Sequence, residues 1–196
     1  MMAKNVAKSP AGERRVALKE RRRVAEMSPE EMRQALLMSE VTGLPNRRAF
    51  DEAGRVAAVA MSDVDALNAL NKFGYDAGNA LLRAKADALR EAGLDAYHDK
   101  GDEYLCRGDS TEDLQAKLGR ARAILRERTV VAKRTDGCSL SFRGADFSFG
   151  VGTDINEAEL LLKWHKAQRE ASGEIARGEL RGITITRYEA DTPDAK

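Results

Sequence analysis

Cysteine is nearly absent from this chain. Its two copies, Cys106 and Cys138, lie far apart and form no C-x-x-C pair. A disulfide framework and a thiolate zinc site are therefore both excluded, and a reducing, cytoplasmic compartment fits. Long apolar runs are missing as well. No stretch approaches the roughly 20 residues that span a bilayer, and the first residues lack the apolar core of a secretory signal, so no membrane partner is expected. A dominant charge is also lacking. Thirty-three basic residues against thirty-two acidic ones give a formal charge of +1. That balance argues against a general nucleic-acid coat or an acidic chaperone surface, and nucleic acid is not an expected partner. Internal repeats and low-complexity segments are absent.

What remains is a chain of 196 residues, 42 % apolar and 33 % charged. It is long enough for one domain with a real core plus an extension. The charge is uneven. The first 26 residues carry Lys4, Lys8, Arg14, Arg15, Lys19, Arg21, Arg22 and Arg23 against Glu13, Glu20 and Glu26. A basic arm of this kind either meets an anionic partner or forms a solvated helix, and the second reading is the simpler one. Residues 1–40 read as this arm with two lead helices, 41–189 as the globular domain, and 190–196 as a polar, disordered tail.

The first lead helix is expected over 13–26. The second starts at Ser28, which caps it, with Pro29 at its first position and Glu30 and Glu31 at its positive end. It is expected to stop near Thr42-Gly43. Asn46 to Arg55 predicts a short helix. Residues 56–61 (VAAVAM) form an apolar run of strand length, the pattern of a strand buried on both faces. A short helix follows in ALNALNKFG, and residues 77–92 predict a strong one with Leu81, Leu82, Ala86 and Leu89 on one side. Strands at about 95–98 and 103–107, turning at Asp99 to Gly101, read as a hairpin. Residues 111–128 predict a helix with Ser110 or Thr111 as cap and Leu114, Leu118, Ala121 and Leu125 as its buried stripe. Residues 138–151 alternate with period two around Arg143-Gly144 and read as a second hairpin. Asn156 is expected to cap a last helix carrying Leu160, Leu161, Trp164 and Ala167, with Trp164 in core or interface. A last strand covers about 182–188. Strands separated by helices point to an α/β or α+β sandwich.

Two acidic elements stand out. Asp63-Val64-Asp65 follows the buried strand directly, and Asp102-Glu103 sits at the first hairpin. Acids at the end of a buried strand are costly unless they meet water, a cation or a hydrogen-bond network. A sheet could set the two pairs side by side, and hard cations take carboxylate and carbonyl oxygens. Each pair alone is equally well a piece of solvated surface.

The surroundings favour the first reading. VTGLPNRRAF at 41–50, the D-x-D of Asp63 and Asp65, Asn71, FGYDAGNALL at 73–82, KGDEY at 100–104, SFGVG at 148–152 and AELLLKWHK at 158–166 follow one another in order. This series resembles the GGDEF domain of diguanylate cyclases over about 140 residues, with KGDEY in place of the signature. The resemblance implies a palm-like, mostly antiparallel central sheet flanked by helices, the nucleotidyl-cyclase fold. It implies condensation of two GTP, or related nucleoside triphosphates, to cyclic di-GMP with magnesium or manganese, by a homodimer whose subunits each hold one nucleotide. Carried over by position, Asp63, the Val64 carbonyl and Asp102 ligate the metal. Glu103 completes the acidic site, Lys166 reaches the phosphates, and Asn71 contacts guanine together with Asn79.

The sequence departs from the family at several of these positions. Lys100 replaces the first glycine of the signature, where it either obstructs the nucleotide or binds its phosphates. Asn79 replaces the acid that pairs with Asn71, and an amide both donates and accepts, which loosens guanine selectivity. Asn68 stands in place of a lysine, Lys72 in place of an acid, Tyr75 in place of a histidine and His98 in place of an arginine. His98 reads as a partly buried strand residue. The R-x-x-D inhibitory motif is absent, because Ala92 stands three residues before Asp95. A second reading is therefore a catalytically degenerate domain that serves as a nucleotide-binding or regulatory module. A third, weaker one is a nucleic-acid accessory protein that uses the basic arm.

Overall fold

The structure, a computed structural model, describes residues 25–133, 138–176 and 178–190. Most of the helix expected over 13–26 and the tail beyond residue 190 lie outside the described residues. Two units divide the chain between Leu37 and Met38.

The first unit contains α1 (Pro29–Leu37). Ser28 and Glu31 cap it reciprocally. The Glu31 amide donates to Ser28 Oγ at 3.2 Å, and the Ser28 amide donates to Glu31 Oε2 at 2.7 Å. The helix stops at Leu37, five residues short of the expected Thr42. Met38 bridges to Pro45 instead, and the turn between them closes on Gly43, whose φ is +64°.

The second unit runs α2 (Arg47–Glu52), β1 (Ala58–Val64), α3 (Leu67–Asn71), α4 (Tyr75–Glu91), β2 (Asp95–Lys100), β3 (Glu103–Gly108), α5 (Thr111–Glu127), β4 (Val130–Lys133), β5 (Cys138–Arg143), β6 (Phe147–Gly152), α6 (Ile155–Ala171) and β7 (Thr184–Ala190). The central sheet has the order β2-β3-β1-β6, antiparallel throughout. Strand β1 lies inside it, which accounts for its unbroken apolar run: Ala58 to Ser62 are all buried. One face carries the main core, where Leu81 and Leu89 of α4 and Leu114, Leu118 and Leu125 of α5 meet Ala60, Tyr104, Cys106 and Phe147. The opposite face packs Phe50 of α2 and Ala158 and Leu162 of α6 on Val59, Met61, Tyr97 and Leu105. This is the mostly antiparallel, helix-flanked sheet that the resemblance implies.

Three expectations are corrected, and one strand was not foreseen. The second hairpin does not form. Strand β5 pairs with β4 and β7 in a separate three-stranded sheet, whereas β6 crosses to β1. The period-two pattern was real, but Gly144, with φ +85°, turns the chain from one sheet to the other. Strand β4 had no sequence signal strong enough to separate it from the end of α5. Helix α6 is capped by Asp154, whose side chain accepts from the Glu157 amide, and not by Asn156. Trp164 is 60 % exposed, so of its two expected places, core or interface, the core is excluded.

Candidate functional site

Register places the acids. On β1, Asp63 lies opposite Glu103 of β3 and opposite Ser148 of β6. Side chains directly opposite share a face, so Asp63 and Glu103 are neighbours of like charge, an arrangement that costs energy without a cation nearby. The turn from β2 to β3 is Gly101-Asp102, tighter than expected, and Gly101 takes φ +54° there. The Val64 amide donates to the Asp102 carbonyl at 3.2 Å. Asp63, Val64 and Asp102 line one open cleft of about 240 Å³, together with Asn68, Lys166 and Glu170.

Helix α6 supplies the opposite charge. Lys166 Nζ stands 2.6 Å from Asp63 Oδ1. Burial pushes the Asp63 carboxyl above its ordinary value; Lys166 opposes that rise, and the nearby Asp102 adds to it. Lys100 is exposed and stands 3.5 Å from Glu103 Oε2. It points to solvent beside the acids and does not line the cleft.

The two asparagines expected to meet guanine lie elsewhere. Asn71 ends α3, and its side chain packs against Gly78 of α4, where a Cβ would come within 2.0 Å of Asn71 Oδ1. Asn79 follows Gly78 and is half-buried. Neither asparagine lines the cleft that holds Asp63 and Asp102.

The second acid of the D-x-D does different work. Asp65 accepts from Arg169 Nη1 at 2.6 Å and from Ser148 Oγ at 3.1 Å. The third acid of the hairpin, Asp99, occupies a bulge and pairs with Arg47 at 3.3 Å. His98 is buried; Nδ1 lies 2.7 Å from Ser39 Oγ and Nε2 lies 3.0 Å from the Gly101 carbonyl. Its place in the strand is structural, as expected, and it steadies the turn that carries Asp102.

Sequence reasoning missed Glu170, one helical turn after Lys166 and therefore on the same face. It also missed the segment contributing Ile175, Ala176 and Gly178 to the cleft wall, for which no local pattern exists.

A hard-oxygen set of two carboxylates and one carbonyl suits magnesium or manganese. The ammonium of Lys166 stands against Asp63 as a cation would. Among the described residues, no three His, Cys, Asp or Glu side chains already converge on a metal position. The residues fit a shared site in which substrate oxygens complete the coordination, more than a closed protein cage.

No family model matches the sequence, and no curated protein matches it. Solved structures do. The diguanylate cyclase SiaD from Pseudomonas aeruginosa, solved with its activator SiaC, is similar over 81 % of this chain and 71 % of its own, at 24 % identity and a TM-score of 0.56. The coiled coil and GGDEF domain of DgcB from Caulobacter crescentus, in complex with c-di-GMP, is similar over 88 % of this chain and 98 % of its own, at 19 % identity and a TM-score of 0.56. The FimX GGDEF domain from Pseudomonas aeruginosa covers 67 % of this chain and 94 % of its own, at 20 % identity and a TM-score of 0.55. Among the described residues no helix is long and apolar enough to cross a membrane. With its acids on neighbouring strands and its lysine on the facing helix, the chain has the fold of GGDEF domains.

Proposed function

We propose that this chain is a diguanylate-cyclase-like nucleotidyltransferase, joining two GTP into cyclic di-GMP as a cytoplasmic homodimer in signalling. The observation that carries the reading is the cleft shared by Asp63, Val64, Asp102 and Lys166. Residues 41–189 would form the catalytic domain, and the helices expected at 13–26 and 28–41 would join the copies. Asp63, the Val64 carbonyl and Asp102 would hold magnesium or manganese. When bound, that ion neutralises the triphosphate and stabilises charge on the transferring phosphoryl group.

The chain's own residues do the rest. Lys166, which pairs with Asp63 here, would turn to the phosphates once nucleotide is bound, so one ammonium would serve both states. Glu103, opposite Asp63, accepts the proton of the attacking 3′-hydroxyl. Each hydroxyl attacks the α-phosphate of the nucleotide on the other subunit, and diphosphate leaves. Asn71 and Asn79 receive the base, and Lys100, at the rim, screens the phosphate charge.

The alternative is a degenerate domain that binds a nucleotide and regulates a partner. The Lys166–Asp63 ion pair favours it, because an ammonium already satisfies the acid. Incubation of the full chain with GTP and magnesium, followed by chromatography, separates the two. Cyclic di-GMP is expected; its absence, with GTP binding intact by calorimetry, leaves the regulatory module. A parallel titration with ATP reads base preference.

A further inference from the structure

Behind the acid cluster lies a cation for which the mechanism above has no use. Lys85 of α4 is fully buried. Its Nζ sits 4.2 Å from the centre of the Tyr104 ring and 4.7 Å from that of Phe147. Tyr104 is paired with Ser62 and Phe147 with Val64, the two neighbours of Asp63 on β1. Residues so paired share a face, so the ammonium lies on the α4 side of β1, directly behind the residue whose carboxylate projects from the other side. No hydrogen-bond acceptor meets Lys85 Nζ, and the Ser62 hydroxyl on the same face has no partner either. A buried, unpaired ammonium is among the costliest groups a core can hold. Two aromatic faces return part of that cost. The rest falls to the field of the carboxylates across the sheet.

We propose that Lys85 is an internal counter-charge for the candidate metal site: from behind β1 it offsets Asp63 and Asp102 and sets how tightly the cleft holds a divalent cation. It is a positioning residue and touches neither metal nor nucleotide. This rests on the reading of the cleft as a metal site.

The groups whose charge acts on Lys85 are Asp63 of β1, Asp65 just beyond that strand, Asp102 of the β2–β3 turn and Cys106 of β3. The residues that α5 buries (Leu114, Leu118, Ala121 and Leu125) are all apolar. Burial lowers the Lys85 amine to about 7, against the pull of these acids. The same burial pushes the Cys106 thiol up to about 12, so it stays neutral. A charged Lys85 repels an incoming divalent ion, whereas a neutral one does not.

The test is manganese binding to the full chain, read by electron paramagnetic resonance, with Lys85→Met as the variant of matching length. At about pH 6 the variant is expected to bind manganese about tenfold more tightly than wild type. That gap should narrow towards about pH 8, where Lys85 has lost its proton in wild type. All carboxylates are common to both proteins, so the gap isolates Lys85. Lys85→Gln, which keeps a polar but uncharged end at the same position, decides the same question if the methionine variant does not fold. Equal or weaker binding by the folded variant, or a gap that ignores pH, overturns the proposal while leaving the metal site standing. No manganese binding by wild type overturns both.

Discussion

Ala66 has a φ of +63°, and no other described non-glycine residue has a positive one. It follows Asp65 directly, where the chain leaves β1 and opens α3. A Cβ in that region costs about 1 kcal/mol, so Ala66→Gly is expected to raise stability by up to about 1 kcal/mol in urea denaturation. A loss would mean that the methyl group packs more strongly than its backbone strains. Asp63 presents the same trade at the cleft. Its carboxyl is raised by burial, so its ionisation weakens the fold as pH climbs through the raised value. Asp63→Asn should therefore melt higher than wild type at neutral pH while losing divalent-ion binding, a stability gained at the expense of function. The acids were legible in the sequence for a physical reason: charge at the end of a buried strand has few explanations. Lys85 was not. Helix α4 is buried almost all round, with Ala84, Lys85 and Ala86 all inside, so its apolar stripe gave no warning that this lysine faced inward.

At the scale of elements, local signals held where one segment decided its own fate. The stripe Leu114, Leu118, Ala121 and Leu125 is the buried face of α5, and Ser110 caps that helix by accepting from the Asp113 amide at 3.1 Å. They failed where partner choice was non-local. Strands β5 and β6 have the alternation of a hairpin, but nothing within 14 residues shows that β6 will seek β1. The contact that fixes β6 is a close approach of backbone. A Cβ on Gly150 would lie 2.2 Å from the Leu162 amide nitrogen and 2.3 Å from the Ala158 carbonyl oxygen. Gly150→Ala must push α6 away from the sheet, at a cost of about 2–3 kcal/mol. Because Lys166 lies one turn beyond Leu162, the same variant should lose the Lys166–Asp63 ion pair, read as weakened nucleotide binding out of proportion to the fall in melting temperature.

Across the domain, the site is braced by a partly buried ion network that no single segment announces. Asp146, ahead of β6, accepts from Arg122 at 2.9 and 2.7 Å, from Arg126 at 3.0 and 2.6 Å, and from Arg169 at 2.6 Å. Arg169 also holds Asp65, and Glu174 closes the cluster with contacts to Arg122, Arg126 and Arg169. Both helices that bear arginines are thereby tied to the ends of β1 and β6, next to the strand position of Asp63. Burial alone would raise the Asp146 carboxyl, but the hydrogen bonds and charges of Arg122 and Arg169 outweigh it and hold it below its ordinary value. Removing its charge leaves Arg169, 4 % exposed, facing two cations with too few acids. Asp146→Asn is expected to cost about 3 kcal/mol or more at pH 7. A depressed carboxyl contributes stability that is complete above the ordinary aspartate range and disappears as pH falls through its lowered folded value. The deficit of the asparagine variant should therefore be full at pH 7 and shrink as the solution is acidified below about pH 4. Urea denaturation of both proteins across that range reads it directly, and a deficit of constant size would show that Asp146 acts through shape and not through charge.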